Sequence, residues 1–287
     1  LIKEILKDRN LIVFSFQANV YCIVICKLFG VKVISRSNSA PIGWSKNFLK
    51  RYIFKIVLNL ADKVMVNSKE FKKDLKREFN VDAICIYNPL NVKEIIQKSK
   101  KKTLSIFKSK KKLKILNIGR FTEQKDQILL LKSLKYLEKD LKYEAILIGK
   151  GVLRSKLNEY LKKNDLNNKV KKLNFVDNPY NLLKQTDIFV LSSKFEGLPN
   201  VLLEALVLNK FVISSDCPTG PKEILLNGKG GLLFKTGSYK DLTKKILYYS
   251  KNKNKCNKLL KVAVKSLDRF DYKKNLMEYY NLISSSM

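Results

Sequence analysis

Histidine is absent from all 287 residues. A His-based nucleophile–base pair and a His-ligated metal are therefore excluded for these residues. Cysteine is sparse, and its five copies (Cys22, Cys26, Cys85, Cys217 and Cys256) are odd in number with no Cys-x-x-Cys pair. Cys22 and Cys26 stand four apart but have no third ligand nearby, so no metal is expected. Buried, reduced thiols in a reducing cytoplasm are the expectation instead. No run of about 20 apolar residues is present to span a bilayer. The most apolar stretch, 11–34, is broken by Gln17, Asn19, Lys27 and Lys32. Acidic residues are few, 25 Asp and Glu against 58 Lys and Arg, a net charge of +33. Only seven of those cations are arginine. That scarcity argues against a nucleic-acid partner, because base readout and phosphate forks favour arginine, and no basic–aromatic module accompanies it. Two accounts of the charge stay open. One is attraction to an anionic partner, above all a membrane surface. The other is a compositional bias toward Lys and Asn.

What is present reads as an α/β protein. The chain is long enough for about two domains, and its 45% hydrophobic content is that of a chain with sizeable cores. Strand-like apolar runs at 11–16, 31–35, 63–67 and 83–87 alternate with helical patterns at 18–29, 48–60 and 69–79. Gly30 is placed to end a helix, Ser68 to begin one, and 48–60 is amphipathic. A second series starts with the strand at 114–118, continues through strands at 143–148, 170–175, 188–191, 211–214 and 231–234, and closes with helices at 239–250 and 255–285 interrupted near Asp268. Strands alternating with helices imply parallel sheets covered on both faces. Two such series imply two Rossmann-like domains facing a cleft. We assign 1–90 to an N-terminal domain that looks incomplete, 91–112 to a Lys- and Ser-rich linker, 113–268 to a C-terminal domain and 269–287 to a closing helix.

The motifs lie at strand ends. Gly119-Arg120 ends the first strand of the second series, with Lys125 five residues on. The glycine would let a ligand approach the backbone, and the cations suit a diphosphate, although surface cations are common in this chain. Gly149-Lys150-Gly151 is either a ligand loop or a turn, and the turn is favoured. Phe175-Val176-Asp177-Asn178 offers backbone groups to a base. The run from Glu196 through Gly197, Leu198, Pro199, Asn200 and Val201 to Glu204 follows another strand and opens a helix. Free N–H groups at a helix N-terminus favour phosphate, whereas the two carboxylates suit hydroxyl groups. Nucleotide sugars carry both. Finally, Pro218-x-Gly220-x-Lys222-Glu223 is a rigid turn into a helix, where Glu223 would complement that helix's own dipole.

In this order, Gly119-Arg120…Lys125, Glu196-x7-Glu204 and Pro218-x-Gly220-x-Lys222-Glu223 resemble the retaining GT-B glycosyltransferases of family 4. The segment from Ser214 to Leu225 is most similar to bacterial enzymes that extend lipid-linked or surface oligosaccharides. Arg36-x-Asn38-x-x-Pro41 and Tyr87-Asn88-Pro89 resemble that subgroup less specifically. The resemblance implies a nucleotide-sugar donor such as a UDP-sugar, and a glycan or lipid-linked acceptor. No metal or other cofactor is implied. It implies that Arg120 and Lys125 hold the diphosphate, Glu204 the ribose, Glu196 the donor sugar, the backbone of Gly197–Val201 the phosphates and sugar, and Val176 the base. A cytoplasmic enzyme, peripheral at the inner face of the plasma membrane, is expected. Two departures accompany it. The family's N-terminal glycine-rich loop is not visible, and the His that many members carry near the donor sugar has no counterpart. The 287-residue chain by itself is therefore expected to be weakly active or inactive. A non-catalytic nucleotide-sugar-binding fragment and a sugar-nucleotide epimerase remain the alternatives.

Overall fold

The computed structural model describes every residue except 17, 42, 43, 45, 46, 103, 104, 110 and 287. A short helix α1 (Ile2–Lys7) opens the chain. It is followed by β1 (Ile12–Ser15), α2 (Asn19–Leu28), β2 (Lys32–Ser37), α3 (Phe48–Leu60), β3 (Lys63–Val66), α4 (Lys69–Phe79) and β4 (Ala83–Cys85). The four strands form one parallel sheet in chain order. Local chemistry sets the boundaries as the sequence pattern predicts. Gly30 ends α2 at φ 70°, a backbone region that glycine enters without a Cβ clash. The Ser68 side chain accepts the Phe71 N–H and caps α4. Ile23, Val33, Val64, Phe71 and Leu75 bury one face of the sheet under its helices.

The segment 91–112, expected to be a linker without pattern, carries a helix, α5 (Val92–Ser99). Asn91 caps it by accepting from Glu94 N–H. Three of its eight residues are charged, and Ile95 and Ser99 form a narrow buried face.

The second domain then runs β5 (Leu113–Ile118), α6 (Gln127–Leu137), β6 (Tyr143–Ile148), α7 (Arg154–Lys163), β7 (Val170–Leu173), α8 (Tyr180–Leu183), β8 (Ile188–Leu191), α9 (Asn200–Val207), β9 (Phe211–Ser215), α10 (Pro221–Ile224), β10 (Leu232–Phe234), α11 (Tyr239–Lys251) and α12 (Lys253–Lys265). Its six strands are all parallel in the order β10-β9-β8-β5-β6-β7. Strands covered on both faces read as continuous apolar runs; all four residues of β8 are buried. One core lies against Leu130, Leu134 and Leu157, the other against Leu202, Leu206 and Ile224.

A 3-10 turn at Ser266–Phe270 supplies the expected interruption near Asp268. The last helix, α13 (Tyr272–Ser284), then returns to the first domain. Leu282 packs with Ile34, Met65 and Ile86. Lys63 Nζ donates to Ser285 Oγ at 2.7 Å. The first sheet is thus covered on both faces, as a parallel sheet requires. None of the five cysteines forms a disulfide; Cys26, Cys217 and Cys256 are buried as expected, whereas Cys22 and Cys85 are only half-buried. Among the described residues no helix is long and apolar enough to cross a membrane.

Candidate functional site

Open parallel sheets bind ligands beyond the C-terminal ends of their strands, where the strand order reverses. That point here is β5, which lies between β8 and β6. The loop after β5 carries Gly119, Arg120 and Lys125; the loop after β8 carries Glu196. The two loops are stapled together. Lys194 N–H donates to the Gln124 carbonyl at 2.8 Å, Gln124 Nε2 to the Phe195 carbonyl at 2.9 Å, and Ser192 Oγ to the Lys125 carbonyl at 2.8 Å. The staples bring Lys125 Nζ to 2.6 Å from Glu196 Oε1, with side chains only 17% and 7% exposed. A buried carboxylate is costly without a partner, and Lys125 is that partner. The sequence assigned the pair to different parts of a ligand; the structure joins them. Arg120, five residues before, is exposed, and its guanidinium meets no hydrogen-bond or ion-pair partner among the described residues.

Glu204 lies on α9, half-buried, with the Tyr180 hydroxyl donating at 3.4 Å. Desolvation pushes its carboxyl up to about 6, against the smaller downward pull of the Tyr180 hydrogen bond. Pro199 caps α9 without a side-chain hydrogen bond. The N–H groups of Asn200 and Val201 donate to no described residue, so the helix start keeps open donors. Leu198 and Pro199 are buried, Asn200 exposed and Val201 half-buried. Val176 packs its side chain on the core that includes Leu202 and Ile224, which leaves backbone groups as what it offers the cleft.

The glycines divide differently from expectation. A Cβ on Gly119 would meet Lys125 Cδ at an ordinary 3.5 Å, so close approach is not what its small size secures. At Gly149 a Cβ would lie 2.0 Å from the Gly119 carbonyl oxygen, and at Gly151 2.4 Å from that of Phe121. The 149–151 segment is a packing turn. A Cβ on Gly197 would lie 2.0 Å from the Asn38 carbonyl oxygen, a first-domain atom. Gly220, at φ 88°, approaches the Gly197 carbonyl as closely.

The first domain reaches the site through residues that sequence motifs marked only weakly. Ala40 N–H donates to the Glu196 carbonyl at 2.7 Å. Arg36 Nη2 donates to Asn88 Oδ1, and Asn88 Nδ2 to Asn200 Oδ1, both at 2.6 Å. Glu223 was expected to serve its own helix, yet α10 is only four residues long. Its carboxylate instead accepts from Lys69 N–H at 3.2 Å, from Glu70 N–H at 3.1 Å and from the Tyr87 hydroxyl, capping α4 in the other domain. Glu70 reciprocates by accepting from Gly220 N–H at 3.1 Å. Burial, with a smaller push from nearby Asp74 and Glu223, holds the Glu70 carboxyl above its ordinary range. Nothing in the sequence signals Glu70 or Tyr180; both depend on contacts between distant segments.

The sequence pattern of the glycosyl transferases group 1 matches residues 97–266, more than half of the chain. The chain belongs to that family. Among curated relatives of this group 1 glycosyltransferase, it is 40% identical over 181 residues to "Uncharacterized glycosyltransferase MJ1059" of Methanocaldococcus jannaschii, covering 60% of this chain and 44% of that protein. It is 28% identical over 272 residues to the N-acetylgalactosamine-N,N'-diacetylbacillosaminyl-diphospho-undecaprenol 4-alpha-N-acetylgalactosaminyltransferase of Campylobacter jejuni, covering 90% and 73%. The chain thus spans less than half the length of the archaeal relative and about three-quarters of the bacterial one. Among solved structures it superposes on Anabaena Alr3699/HepE in complex with UDP with a TM-score of 0.80 at 18% identity, over 99% of this chain and 81% of that one. The likeness shows the fold: GT-B, with two Rossmann-like domains.

Proposed function

We propose that this protein transfers a hexosyl or N-acetylhexosaminyl group from a UDP-sugar to a growing lipid-linked or surface glycan, with retention of anomeric configuration. One observation carries the proposal most: at the sheet's switch point the loop that pairs Lys125 with the buried Glu196 carboxylate also carries Arg120, exposed and with no guanidinium partner among the described residues. Bond cleavage leaves oxocarbenium character on the sugar and charge on the departing diphosphate. Arg120, Lys125 and the open N–H groups of α9 stabilise that charge more in the transition state than before it. No metal is needed in this scheme. The acceptor oxygen attacks the anomeric carbon as its bond to phosphate breaks, on the same face, and the leaving phosphate oxygen takes the acceptor's proton. Glu196, its charge balanced by Lys125, faces the sugar; Glu204 binds the ribose hydroxyls; backbone groups at Val176 and Gly197–Val201 meet the base and the phosphates. The UDP in solved neighbours and the lipid-linked substrate named for the Campylobacter relative support the choice of donor and acceptor. Work at the inner face of the plasma membrane follows from that acceptor class.

Thermal-shift screening against UDP-, GDP- and ADP-sugars tests the donor, because a specific ligand stabilises by mass action. Stabilisation by UDP-sugars alone is expected, and no response to any of them would overturn the proposal. NMR of the product's anomeric centre then tests retention. Free epimerised sugar without acceptor product would favour the epimerase, and UDP binding without any transfer the non-catalytic alternative.

A further inference from the structure

The helix α3 turns much of its apolar surface outward. Phe48, Leu49, Tyr52, Ile53, Ile56 and Leu60 are 78%, 69%, 55%, 50%, 47% and 48% exposed, while Val57 and Leu58 supply its buried contacts. At 3.6 residues per turn the six outward residues fall within an arc of about 140°. Lys55 lies about 20° beyond one edge of that arc and Lys50 about 60° beyond the other. The helix carries no acidic residue, and neither lysine forms a salt bridge among the described residues. The neighbouring α2 adds Tyr21 at 73%, Val24 at 39% and Leu28 at 78% exposed, spaced to share one side of that helix. Contiguous apolar surface of this kind marks an interaction site. A broad apolar arc flanked by cations on both sides is the pattern of a helix lying in a lipid headgroup layer, with lysines reaching out of it.

We propose that the outer face of α2 and α3 beds in an anionic lipid bilayer. The face also fixes where an acceptor enters. A groove of about 680 Å³ lies between these helices and β2, walled by Tyr21, Trp44, Ile53 and Phe54, and reaches Arg36 and Asn38. Asn38 touches Gly197. A bilayer under α2 and α3 therefore brings a lipid-borne acceptor to the polar end of the groove, beside Glu196. This last step rests on the function proposed above; the bilayer docking does not.

Co-sedimentation of the 287-residue chain with vesicles of phosphatidylcholine, alone or mixed with phosphatidylglycerol, tests it. Binding to the mixed vesicles is expected, at least about tenfold tighter than to the neutral ones, from attraction of the basic flanks to anionic headgroups. Leu49→Asp with Ile56→Asp abolishes binding. Lys50→Gln with Lys55→Gln removes the preference for anionic lipid. Brominated lipid quenches the new indole of Tyr52→Trp and leaves that of Val152→Trp, on the second domain, unquenched. All these side chains are solvent-exposed, so melting temperature and stabilisation by UDP-sugar, both measured without vesicles, stay as in the parent chain; that measurement separates failure of the docking from failure of the donor assignment. Equal binding to both vesicle types, unchanged binding by Leu49→Asp/Ile56→Asp, or equal quenching at 52 and 152 would overturn the proposal. So would a dimer in vesicle-free sedimentation velocity that the same double variant dissociates.

Discussion

Glu204 is the residue whose proposed role makes the sharpest pH prediction. Desolvation on α9 lifts its carboxyl from 4.5 to about 6. That rise corresponds to about 2 kcal/mol in favour of the protonated form in the folded protein. The sign follows from the direction of the shift. The folded state binds more protons than the unfolded one between pH 4.5 and about 6, so the stabilising contribution is full below that window and is lost as pH rises through it. Ribose binding opposes this. Two hydroxyls donate to the ionised carboxylate and so favour the charged form. In the empty site at pH 5 about nine carboxyls in ten are protonated, and a UDP-sugar must displace that proton, weakening its binding about tenfold relative to pH 7.

Titration calorimetry with a UDP-sugar, run at both pH values in two buffers of different ionisation enthalpy, reads this directly. The diphosphate of a UDP-sugar is esterified at both ends and keeps its charge across the range, so the pH dependence belongs to the protein. About half a proton should be released on binding at pH 6. Glu204→Gln should bind more weakly at pH 7, show a flat profile and release no proton. Glu70, whose carboxyl is also raised, is unchanged in that variant and drops out of the comparison. Parallel pH profiles for the parent chain and Glu204→Gln would refute both the ribose role and its electrostatic basis.

Three further outcomes follow from the site. Lys125→Ala leaves the Glu196 carboxylate buried and unpaired and should destabilise the fold by about 3 kcal/mol; Lys125→Ala/Glu196→Ala should lose less, and additive losses in denaturant titrations would show that the pair is not coupled. Glu196→Ala should lower kcat with little change in donor KM, whereas Glu204→Ala should chiefly raise KM; equal effects on binding alone would remove Glu196 from the reacting sugar. Gly197→Ala places a methyl group 2.0 Å from the Asn38 carbonyl oxygen, so it should lower the melting temperature and increase the radius of gyration in small-angle scattering, and an unaltered scattering curve would contradict the close domain contact.

The strand and helix alternation was legible because each element carries its own period and its own caps: Ser68 and Gly30 act within a few residues of where they stand. The Glu196-x7-Glu204 spacing was legible for the same reason, since strand end, loop and helix start are contiguous. What escaped depends on faces and partners. The helix at 48–60 was recognised as amphipathic, but it has apolar residues around most of its circumference, and period alone cannot say which side meets the sheet. Lys125 was marked for a diphosphate, but its pairing with Glu196, 71 positions away, depends on the loop staples. Glu223 looked like a local cap because dipole logic is local; its actual helix begins more than 150 positions earlier. α5 was hidden because it is short and opens a lysine-rich stretch, and only two of its residues, Ile95 and Ser99, are buried.

Glu196 joins these scales in one residue. Its side chain is held by Lys125, its amide donates to the Pro218 carbonyl at 2.6 Å, and its carbonyl accepts from Ala40 of the first domain. Gly197 directly after it lacks a Cβ so that Asn38 can lie against it. The carboxylate nearest the proposed chemistry is therefore positioned by three chain segments at once, one of them in the opposite domain. Nearby, Glu70 and Glu223 face each other across the cleft, an arrangement that like charges oppose. Each is balanced by backbone N–H groups of the other's domain, Gly220 for one and the start of α4 for the other. Such hydrogen bonds form only when the domains meet in this register, since N–H groups at helix starts and turns are directional in a way that a salt bridge is not. The first domain thus does more than border the cleft: through Ala40 and Asn38 it sets the backbone position of Glu196, and through Asn88 it holds Asn200 at the start of α9. A substitution that displaces the segment from Arg36 to Ala40 acts on the second domain's site without touching any of that site's own residues.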